Sequence, residues 1–223
     1  MELIKAIKNR RSISEFEKRP VDRKVIDELI SIASFAPSSC NTQPWYFLIF
    51  DKNESKKTLN EYVEKGYRKT EKKLRAKHKV FGVAYARLLR FFSIYGKFDI
   101  APVEILLFAR PYDTPVFSQA IKTANNEELK KIAQSSVNTS VAMAMQNLLL
   151  AAHSKGLGTR VKDGIKFMMN DLELKNKFYK QHNIPQNYEL ISGIQLGYPT
   201  KKALKRKADV RKNIDGIRKY VKI

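Results

Sequence analysis

A short polar segment between two prolines carries the residues best suited to chemistry in this chain. Residues 36–45 read Ala-Pro-Ser-Ser-Cys-Asn-Thr-Gln-Pro-Trp, and five of these residues have hydroxyl or amide side chains. Pro37 and Pro44 each fix φ and lack a backbone N–H, so we expect a rigid, non-helical loop. Such a loop suits a flat ligand with polar edges, for example a heterocycle. An ordinary helix-to-strand turn rich in Ser and Asn is the alternative interpretation.

The common catalytic motifs are missing from the rest of the sequence. There is no nucleophile elbow, no P-loop and no HExxH motif. The three histidines are scattered, and we expect no metal site. The single cysteine, Cys40, excludes an intrachain disulfide and is either redox-active or a small residue that fills a gap. An enzyme with so few candidate acids, bases and nucleophiles would depend on a cofactor that carries the reaction itself.

The charge of the chain is strongly positive, with a formal net charge of +21. Residues 56–79 contain ten Lys or Arg against three Glu, and residues 200–223 contain ten against two Asp. Such a field attracts anions, including phosphate cofactors, nucleic acid and acidic lipid headgroups. A solvated basic surface is the alternative. Residues 56–79 contain only two aromatic residues, Tyr62 and Tyr67, too few for a platform that stacks single-stranded bases, and the chain has no zinc-finger spacing, so we do not expect nucleic-acid binding.

The length and composition favour one domain over residues 1–223, with a basic tail at 200–223. The chain has 223 residues, of which 43% are hydrophobic, enough to form a full core. No segment approaches the roughly 20 apolar residues that span a bilayer. The first residues also lack the apolar core of a signal peptide. We therefore expect a cytoplasmic protein that does not enter the membrane.

Hydrophobic periodicity predicts a mixture of helices and strands. Helices are predicted over 2–9, after a cap at Asp22, over 55–94, over 128–154 and in short pieces up to about 181. Strands are predicted over 46–50, 103–109, 159–161 and 188–197. Gly156 is predicted as the left-handed cap of the long helix. That helix is apolar nearly all round over Val141–Ala152, which indicates burial in the core or at a subunit interface. Residues 111–126 are predicted as a loop or lid.

Five segments of the chain together resemble the FMN-dependent nitroreductase family. They are Arg10-Arg11-Ser12-Ile13, the loop at 36–45, Ala101-Pro102 before a strand, the stretch from Gln146 to Thr159, and Gly197-Tyr198-Pro199 before the basic tail. Their order matches that of the family and spans nearly the whole chain. The resemblance implies an α+β fold, an α/β/α sandwich around a central mixed, mostly antiparallel sheet. It also implies a homodimer with FMN at the subunit interface and a tail that wraps the domain or the partner subunit.

The resemblance also implies which residues would hold FMN. Arg10, Arg11 and Ser12 would meet the phosphate, the ribityl chain and the ring edge. The loop of the other subunit would line the flavin through Pro37, Ser38, Ser39, Asn41 and Gln43. Val161, Asp163 and Gly164 would form a turn against the isoalloxazine, with the Asp163 backbone N–H donating to flavin N5. The tail would grip the phosphate through Lys205, Arg206 and Lys207, because Lys and Arg form charge-assisted hydrogen bonds with phosphate.

Two features of the chain depart from the family pattern. Ser14 stands where the family usually has Arg or Lys, a cation that stabilises the reduced flavin near N1 and O2. Arg160 and Lys162 follow the Gly-Leu-Gly-Thr segment, where the family commonly has apolar residues. Our hypothesis is that one of these two cations supplies the missing charge. The alternative is that both side chains point to solvent.

The function that the resemblance implies is a flavoenzyme reaction. Hydride from NADH or NADPH would pass to FMN N5, and two electrons would then pass to a nitroaromatic, a quinone or another flat, electron-poor acceptor in a ping-pong cycle. The first alternative is a family branch with other flavin chemistry, such as flavin breakdown or reductive dehalogenation. The second is a non-catalytic flavin- or nucleic-acid-binding protein.

Overall fold

After two initial helices, strands and helices alternate in the computed structural model, which describes residues 2–77, 100–112, 114, 119, 127–205 and 210–221. The helices are α1 (Leu3–Asn9), α2 (Arg23–Ala33), α3 (Asn53–Lys77), α4 (Glu127–Ser154), α5 (Leu172–Gln181) and α6 (Lys201–Leu204). The strands are β1 (Trp45–Phe50), β2 (Val103–Ala109), β3 (Gly158–Lys162) and β4 (Glu189–Gly197). Three 3₁₀ helices cover Ser39–Asn41, Asp163–Asn170 and Ile214–Gly216.

The four strands form one sheet in the order β1-β2-β4-β3, and every neighbouring pair is antiparallel. Within the described part of the chain, the one parallel pairing is an isolated bridge between Ser12 and Thr159. The bridge attaches the segment after α1 to the outer edge of β3. The predicted α+β class with a mostly antiparallel sheet is therefore confirmed.

Helices cover both faces of this sheet, as the predicted sandwich requires. On one face, α3, α5 and the 3₁₀ helix Asp163–Asn170 bury side chains such as Leu106 and Phe178. On the other face, α2 and α4 pack around side chains such as Ile105 and Leu148. The segment Val141–Ala152 of α4 buries Val141 in the core, whereas its Gln146 is exposed. Burial in the core therefore accounts for the apolar residues on only one side of this segment.

Local sequence signals set the helix ends as predicted. Asp22 caps α2 by accepting a hydrogen bond from the backbone N–H of Lys24 at 2.9 Å. Gly156 follows α4 with φ of 76°, the left-handed conformation that glycine adopts without a steric penalty. The helix predicted over 55–94 begins at Asn53 and is described as far as Lys77. Its remainder lies outside the described residues, as does most of the loop predicted over 111–126.

Helix α3 approaches the 3₁₀ helix Asp163–Asn170 closely because residue 66 is glycine. A Cβ atom at Gly66 would lie 2.6 Å from both the Cα and the N of Met168. Both of those atoms are backbone, so a side-chain rotation cannot relieve the collision. The backbone contact therefore fixes the distance between α3 and the segment that follows β3.

We predict that Gly66→Ala destabilises the fold by about 1–3 kcal/mol, the usual cost of forcing extra volume into a packed core. The loss should appear although alanine favours a helix over glycine by roughly 1 kcal/mol. Chemical denaturation of the two proteins measures the difference. Gly216→Ala is the matched control, because a Cβ there meets no atom within 4 Å. Equal stability of Gly66→Ala and the wild-type chain would contradict the close approach.

Candidate active site

The segment after α1 holds two arginines at the edge of the sheet. The backbone N–H of Ile13 donates to the carbonyl of Thr159 at 2.9 Å. Gly158 allows this approach, because a Cβ there would lie 2.7 Å from Ile13 Cγ1. Arg10 and Arg11 are therefore fixed beside the start of β3, next to the end of α4.

A cavity of about 210 Å³ opens beside these arginines. Its walls come from the end of α1, the end of α4, the start of β3 and helix α6. The lining residues are Asn9, Arg10, Arg11, Ile13, His153, Gly156, Leu157, Gly158, Thr159, Pro199, Ala203 and Leu204. The cavity thus places the predicted residues Arg10 and Arg11 next to the end of α4 and the start of the basic tail. The predicted turn at Val161, Asp163 and Gly164 does not line it.

Positive charge accumulates at this cavity. Burial lowers the pKa of the Arg10 guanidinium, and repulsion from Arg211 and Arg11 lowers it further. Neither Arg10 nor Arg11 forms an ion pair with a carboxylate among the described residues. Lys205 directly follows the lining residue Leu204. Because the clustered cations repel one another, an anion bound here would be stabilised.

His153 is a further member of this cluster. Burial, followed by repulsion from Arg10 and Arg11, lowers the pKa of its imidazole. Its Nε2 is buried, and no group in the described part of the chain forms a hydrogen bond with it. Sequence reasoning missed both His153 and Arg211 as site residues. Of the other predicted tail residues, Arg206 and Lys207 lie outside the described residues.

The predicted turn after β3 is built against α3. Val161 lies in β3, half-buried, and the exposed Asp163 begins the 3₁₀ helix. Ser192 Oγ donates to Asp163 Oδ1 at 3.0 Å and so ties the turn to β4. At Gly164 a Cβ would collide with Tyr67 Oη, whereas Tyr67 Cζ would lie 3.5 Å away. The turn therefore depends on a residue without a side chain at position 164.

Hydrogen bonds within the loop at 36–45 join its polar residues. The Gln43 backbone N–H donates to Ser38 Oγ at 3.0 Å, and Gln43 Nε2 donates to Asn41 Oδ1 at 3.2 Å. Cys40, Asn41 and Gln43 have φ values of 52°, 53° and 44°, a left-handed conformation that is uncommon outside glycine. The stiffness of the loop stays a prediction. Its centre forms the short 3₁₀ turn Ser39–Asn41, in which Cys40 has non-helical backbone angles.

This loop packs against the middle of α4. The Ser39 backbone N–H donates to Ser140 Oγ at 3.4 Å, and Ser39 Oγ lies 3.2 Å from Tyr112 Oη. Tyr112 Oη donates to Cys40 Sγ at 3.3 Å. Cys40 is exposed, so the interpretation that it fills a gap within the chain is wrong. The side chains of Asn41 and Gln43 are also exposed.

The loop and the cationic cavity are far apart in one chain. The loop contacts α4 at Ser140, and the cavity contacts the same helix at His153, thirteen residues later. At 1.5 Å per residue these contacts are about 20 Å apart along the helix axis. One chain therefore presents the two predicted walls of the FMN site at separate places.

Buried polar groups lie beneath β3, close to the turn. Lys162 is only 5% exposed, and its pKa is lowered to about 8 by burial and by repulsion from Arg160. Glu104 is fully buried, which raises its pKa, and it accepts a hydrogen bond from Gln195 Nε2 at 2.9 Å. Arg160 is half-buried and Ser14 is exposed. The alternative that Arg160 and Lys162 both point to solvent is therefore wrong, and their role near a flavin stays a hypothesis.

Two features are missing from the described residues. These residues contain no group of three or more His, Cys, Asp or Glu side chains that could hold a metal ion. None of the helices in those residues combines the length and the apolar character needed to cross a bilayer.

The chain folds as an α+β sandwich with an arginine-lined cavity at one edge of the sheet. Comparison with known proteins assigns its family. The model of the nitroreductase family matches residues 7–198. The chain belongs to the nitroreductase family. The predicted family resemblance is therefore confirmed.

Individual relatives include both nitroreductases and other flavoproteins. A protein of Methanothermobacter thermautotrophicus named as a NADH dehydrogenase/NAD(P)H nitroreductase is 28% identical over 199 residues, 89% of this chain and 78% of the relative. A BluB-like flavoprotein from Clostridium difficile 630 superimposes with a TM-score of 0.80 at 21% identity, over 100% of both chains. An oxidised iodotyrosine deiodinase bound to FMN and 3-iodo-L-tyrosine superimposes with a TM-score of 0.63 at 21% identity, also over 100% of both chains.

We predict that Gly164→Ala lowers thermal stability because its Cβ collides with Tyr67 Oη. Adding Tyr67→Phe should recover most of that loss, since the nearest remaining ring atom would be in ordinary contact at 3.5 Å. Thermal unfolding of the two single variants and the double variant measures the coupling between the residues. A double variant that is as unstable as the sum of both single variants would contradict this contact.

Proposed function

We propose that this chain is an FMN-dependent oxidoreductase that takes two electrons from NADH or NADPH and transfers them to a nitroaromatic, a quinone or a similar electron-poor acceptor. The observation that carries the proposal is the cluster of Arg10 and Arg11 at the cavity beside β3, with Arg211 close enough to repel Arg10. This cluster has no neutralising carboxylate among the described residues, and it lies in a chain of the nitroreductase family. A dianionic phosphate is the ligand that such a cluster would neutralise best.

The residues present fit FMN in charge and shape. The arginines and Lys205 would bind the phosphate, and Ser12 would accompany the ribityl chain along the edge of β3. The turn of Asp163 and Gly164 offers backbone N–H groups and no side chain at position 164, which suits close contact with a flat ring. Bound FMN would supply the two-electron chemistry, so the protein needs no side-chain acid or base of its own.

We propose that the active form is a homodimer in which each site uses the loop of the partner chain. The loop contacts α4 about 20 Å from the cavity, so a second copy is the simplest source of a loop beside each cavity. Uncovered apolar side chains support this arrangement. In α1, Leu3 is 66% and Ile4 is 60% exposed, and in the tail Val210 is 97% exposed. Exposed apolar groups of this kind commonly mark an interface.

Reductive dehalogenation is the second candidate. The deiodinase structure that contains FMN and 3-iodo-L-tyrosine favours it, because that protein shares the fold over the whole of this chain. The two candidates differ in the acceptor and not in the proposed cofactor. An acceptor screen therefore separates them.

The basic run at 56–79 partly serves the fold, which weakens the case for a nucleic-acid-binding protein. Lys69 Nζ contacts Asp171 Oδ1 at 2.9 Å and Glu173 Oε2 at 3.2 Å, and Lys73 Nζ lies 3.6 Å from Asp171 Oδ2. These ion pairs attach α3 to α5. A cytoplasmic location stays a prediction, supported by the presence of one cysteine and hence no intrachain disulfide.

We predict that the purified chain, reconstituted with FMN, loses its flavin absorbance when NADH or NADPH is added without oxygen. Each reduced sample is then mixed with a nitroaromatic, a quinone or 3-iodotyrosine, and the return of the absorbance identifies the acceptor. Recovery with a nitroaromatic or a quinone supports the leading proposal, whereas recovery with 3-iodotyrosine alone supports dehalogenation. A chain that binds no FMN, or a loaded chain that neither nicotinamide reduces, overturns the proposal.

We predict that Arg10→Ala weakens FMN binding by roughly 10- to 100-fold, the range expected for a lost charge-assisted hydrogen bond. Binding of riboflavin, which has no phosphate, should change little. Fluorescence titration with both ligands measures the difference. Arg75→Ala is the control, because Arg75 is paired with Glu71 on the surface of α3 at 2.7 Å. Equal weakening of FMN and riboflavin binding by Arg10→Ala would show that Arg10 does not bind the phosphate.

A further inference from the structure

His153, near the end of α4, lies in the wall of the cavity that holds Arg10 and Arg11. Its side chain is half-buried, and its Nε2 is buried without a hydrogen bond to any described residue. The cavity wall thus contains an ionisable group for which the described part of the fold provides no partner at Nε2.

The charged groups that act on this imidazole are cations. Arg10 and Arg11 reach it from the segment after α1, and both disfavour its protonated form. In the tail, Arg211 lies close enough to Arg10 to repel it. Helix α6 lines the cavity with uncharged residues, and Lys205 follows this helix.

Two carboxylates near the cavity are paired with lysines. Glu28 of α2 lies 2.7 Å from Lys155, and Glu15 lies 3.0 Å from Lys202 of α6. Strand β3 brings Gly158 and Thr159 to the cavity, and the alternation of side chains along a strand directs Arg160 to the other face of the sheet. Burial and the two arginines after α1 therefore lower the pKa of His153, and the imidazole is mostly neutral at pH 7.

A phosphate dianion in this cavity would reverse the balance of charge around the imidazole. An opposite charge within about 4–6 Å of an ionisable group shifts its pKa by roughly 1–3 units toward the charged form. The interaction is Coulombic, so it needs no contact between the phosphate and the buried Nε2. Arginine stays protonated in proteins, so His153 is the group in this wall whose charge can respond.

We propose that His153 takes up a proton from the solvent when a phosphate group binds at Arg10 and Arg11, so that the cavity binds the dianion together with a proton. This inference rests on the proposed function, in which FMN brings the phosphate. His153 then strengthens phosphate binding through its charge, in addition to the arginines, and it links the affinity for FMN to pH.

NMR titration of the histidine side chains, in the free and the FMN-loaded chain, tests the proposal directly. We expect FMN to raise the pKa of His153 by about one pH unit or more. Riboflavin, which has no phosphate, should leave this pKa unchanged. His182 is the matched control, because its Nε2 is also buried without a described partner and burial also lowers its pKa. It packs against Phe50 and Phe178 on the other face of the sheet, so FMN should not change its pKa.

FMN affinity gives a second readout. Wild-type chain and His153→Gln are titrated with FMN at about pH 8 and about pH 6, and the ratio of the two affinities is compared. The ionisation of the FMN phosphate itself affects both chains equally and leaves this ratio unchanged. We expect the ratio to rise roughly 3- to 10-fold in favour of the wild type at the lower pH, because one pKa unit corresponds to a factor of ten. With His182→Gln the ratio should not change with pH.

Two results would overturn the inference while the proposed function stands. In the first, the chain binds FMN but the pKa of His153 and the affinity ratio stay constant. In the second, riboflavin raises the pKa of His153 as much as FMN does, which would exclude the phosphate as the cause. Failure of the wild-type chain to bind FMN at all would overturn both the inference and the proposed function.

Discussion

The length of helix α4 is the constraint on which the candidate site depends. The helix runs unbroken from Glu127 to Ser154 along one face of the sheet. It contacts the loop at 36–45 through Ser140 and the cationic cavity through His153. Because an α-helix is stiff over this distance, the chain holds these two contacts roughly 20 Å apart. The chain thus holds the loop and the cationic cavity apart, and in our account a second copy brings its loop to each cavity.

A second constraint, the close packing of α3 on the segment after β3, shapes the surface on which a flat ligand would rest. Gly66 brings the helix against the backbone of Met168, and Gly164 leaves room for the hydroxyl of Tyr67. Behind the same strand, Lys162 and Glu104 are both buried. Burial raises the pKa of Glu104 and lowers that of Lys162, so it disfavours the charged form of both groups. Close backbone packing and buried ionisable groups therefore occur together at β3 and the turn that follows it.

Much of this architecture follows from local sequence signals. The cap at Asp22, the left-handed Gly156 and the alternating apolar residues of the strands act over a few residues, and each predicted its element. The family motifs also indicated the arginines after α1 and the turn after β3. The positions of Arg211 near Arg10, of His153 in the cavity wall and of Tyr67 beside Gly164 could not be predicted in this way. Each depends on residues far apart in the sequence, and no local pattern encodes the position of a tail arginine beside Arg10 or of a helix tyrosine beneath Gly164.

The exposure of Cys40 shows the same limit in the loop itself. From the sequence, Cys40 is interpreted as a small residue that fills a gap among polar neighbours. In the structure it lies in the left-handed turn at Ser39–Asn41 and is exposed. The prolines predict a rigid loop, because they restrict the backbone locally. Which side chains the loop exposes depends on how it packs against Ser140 and Tyr112.

The most direct test of this account is complementation between two defective chains. One chain carries Arg10→Ala, and the other carries Asn41→Gly with Gln43→Gly, which removes two exposed amides while glycine retains the left-handed backbone. Differently tagged chains are coexpressed, and the mixed dimer is purified and titrated with FMN. We predict one site of wild-type affinity per mixed dimer, formed by the intact cavity of one chain and the intact loop of the other. A mixed dimer without any site of wild-type affinity would contradict the shared site, because each cavity would then use the loop of its own chain.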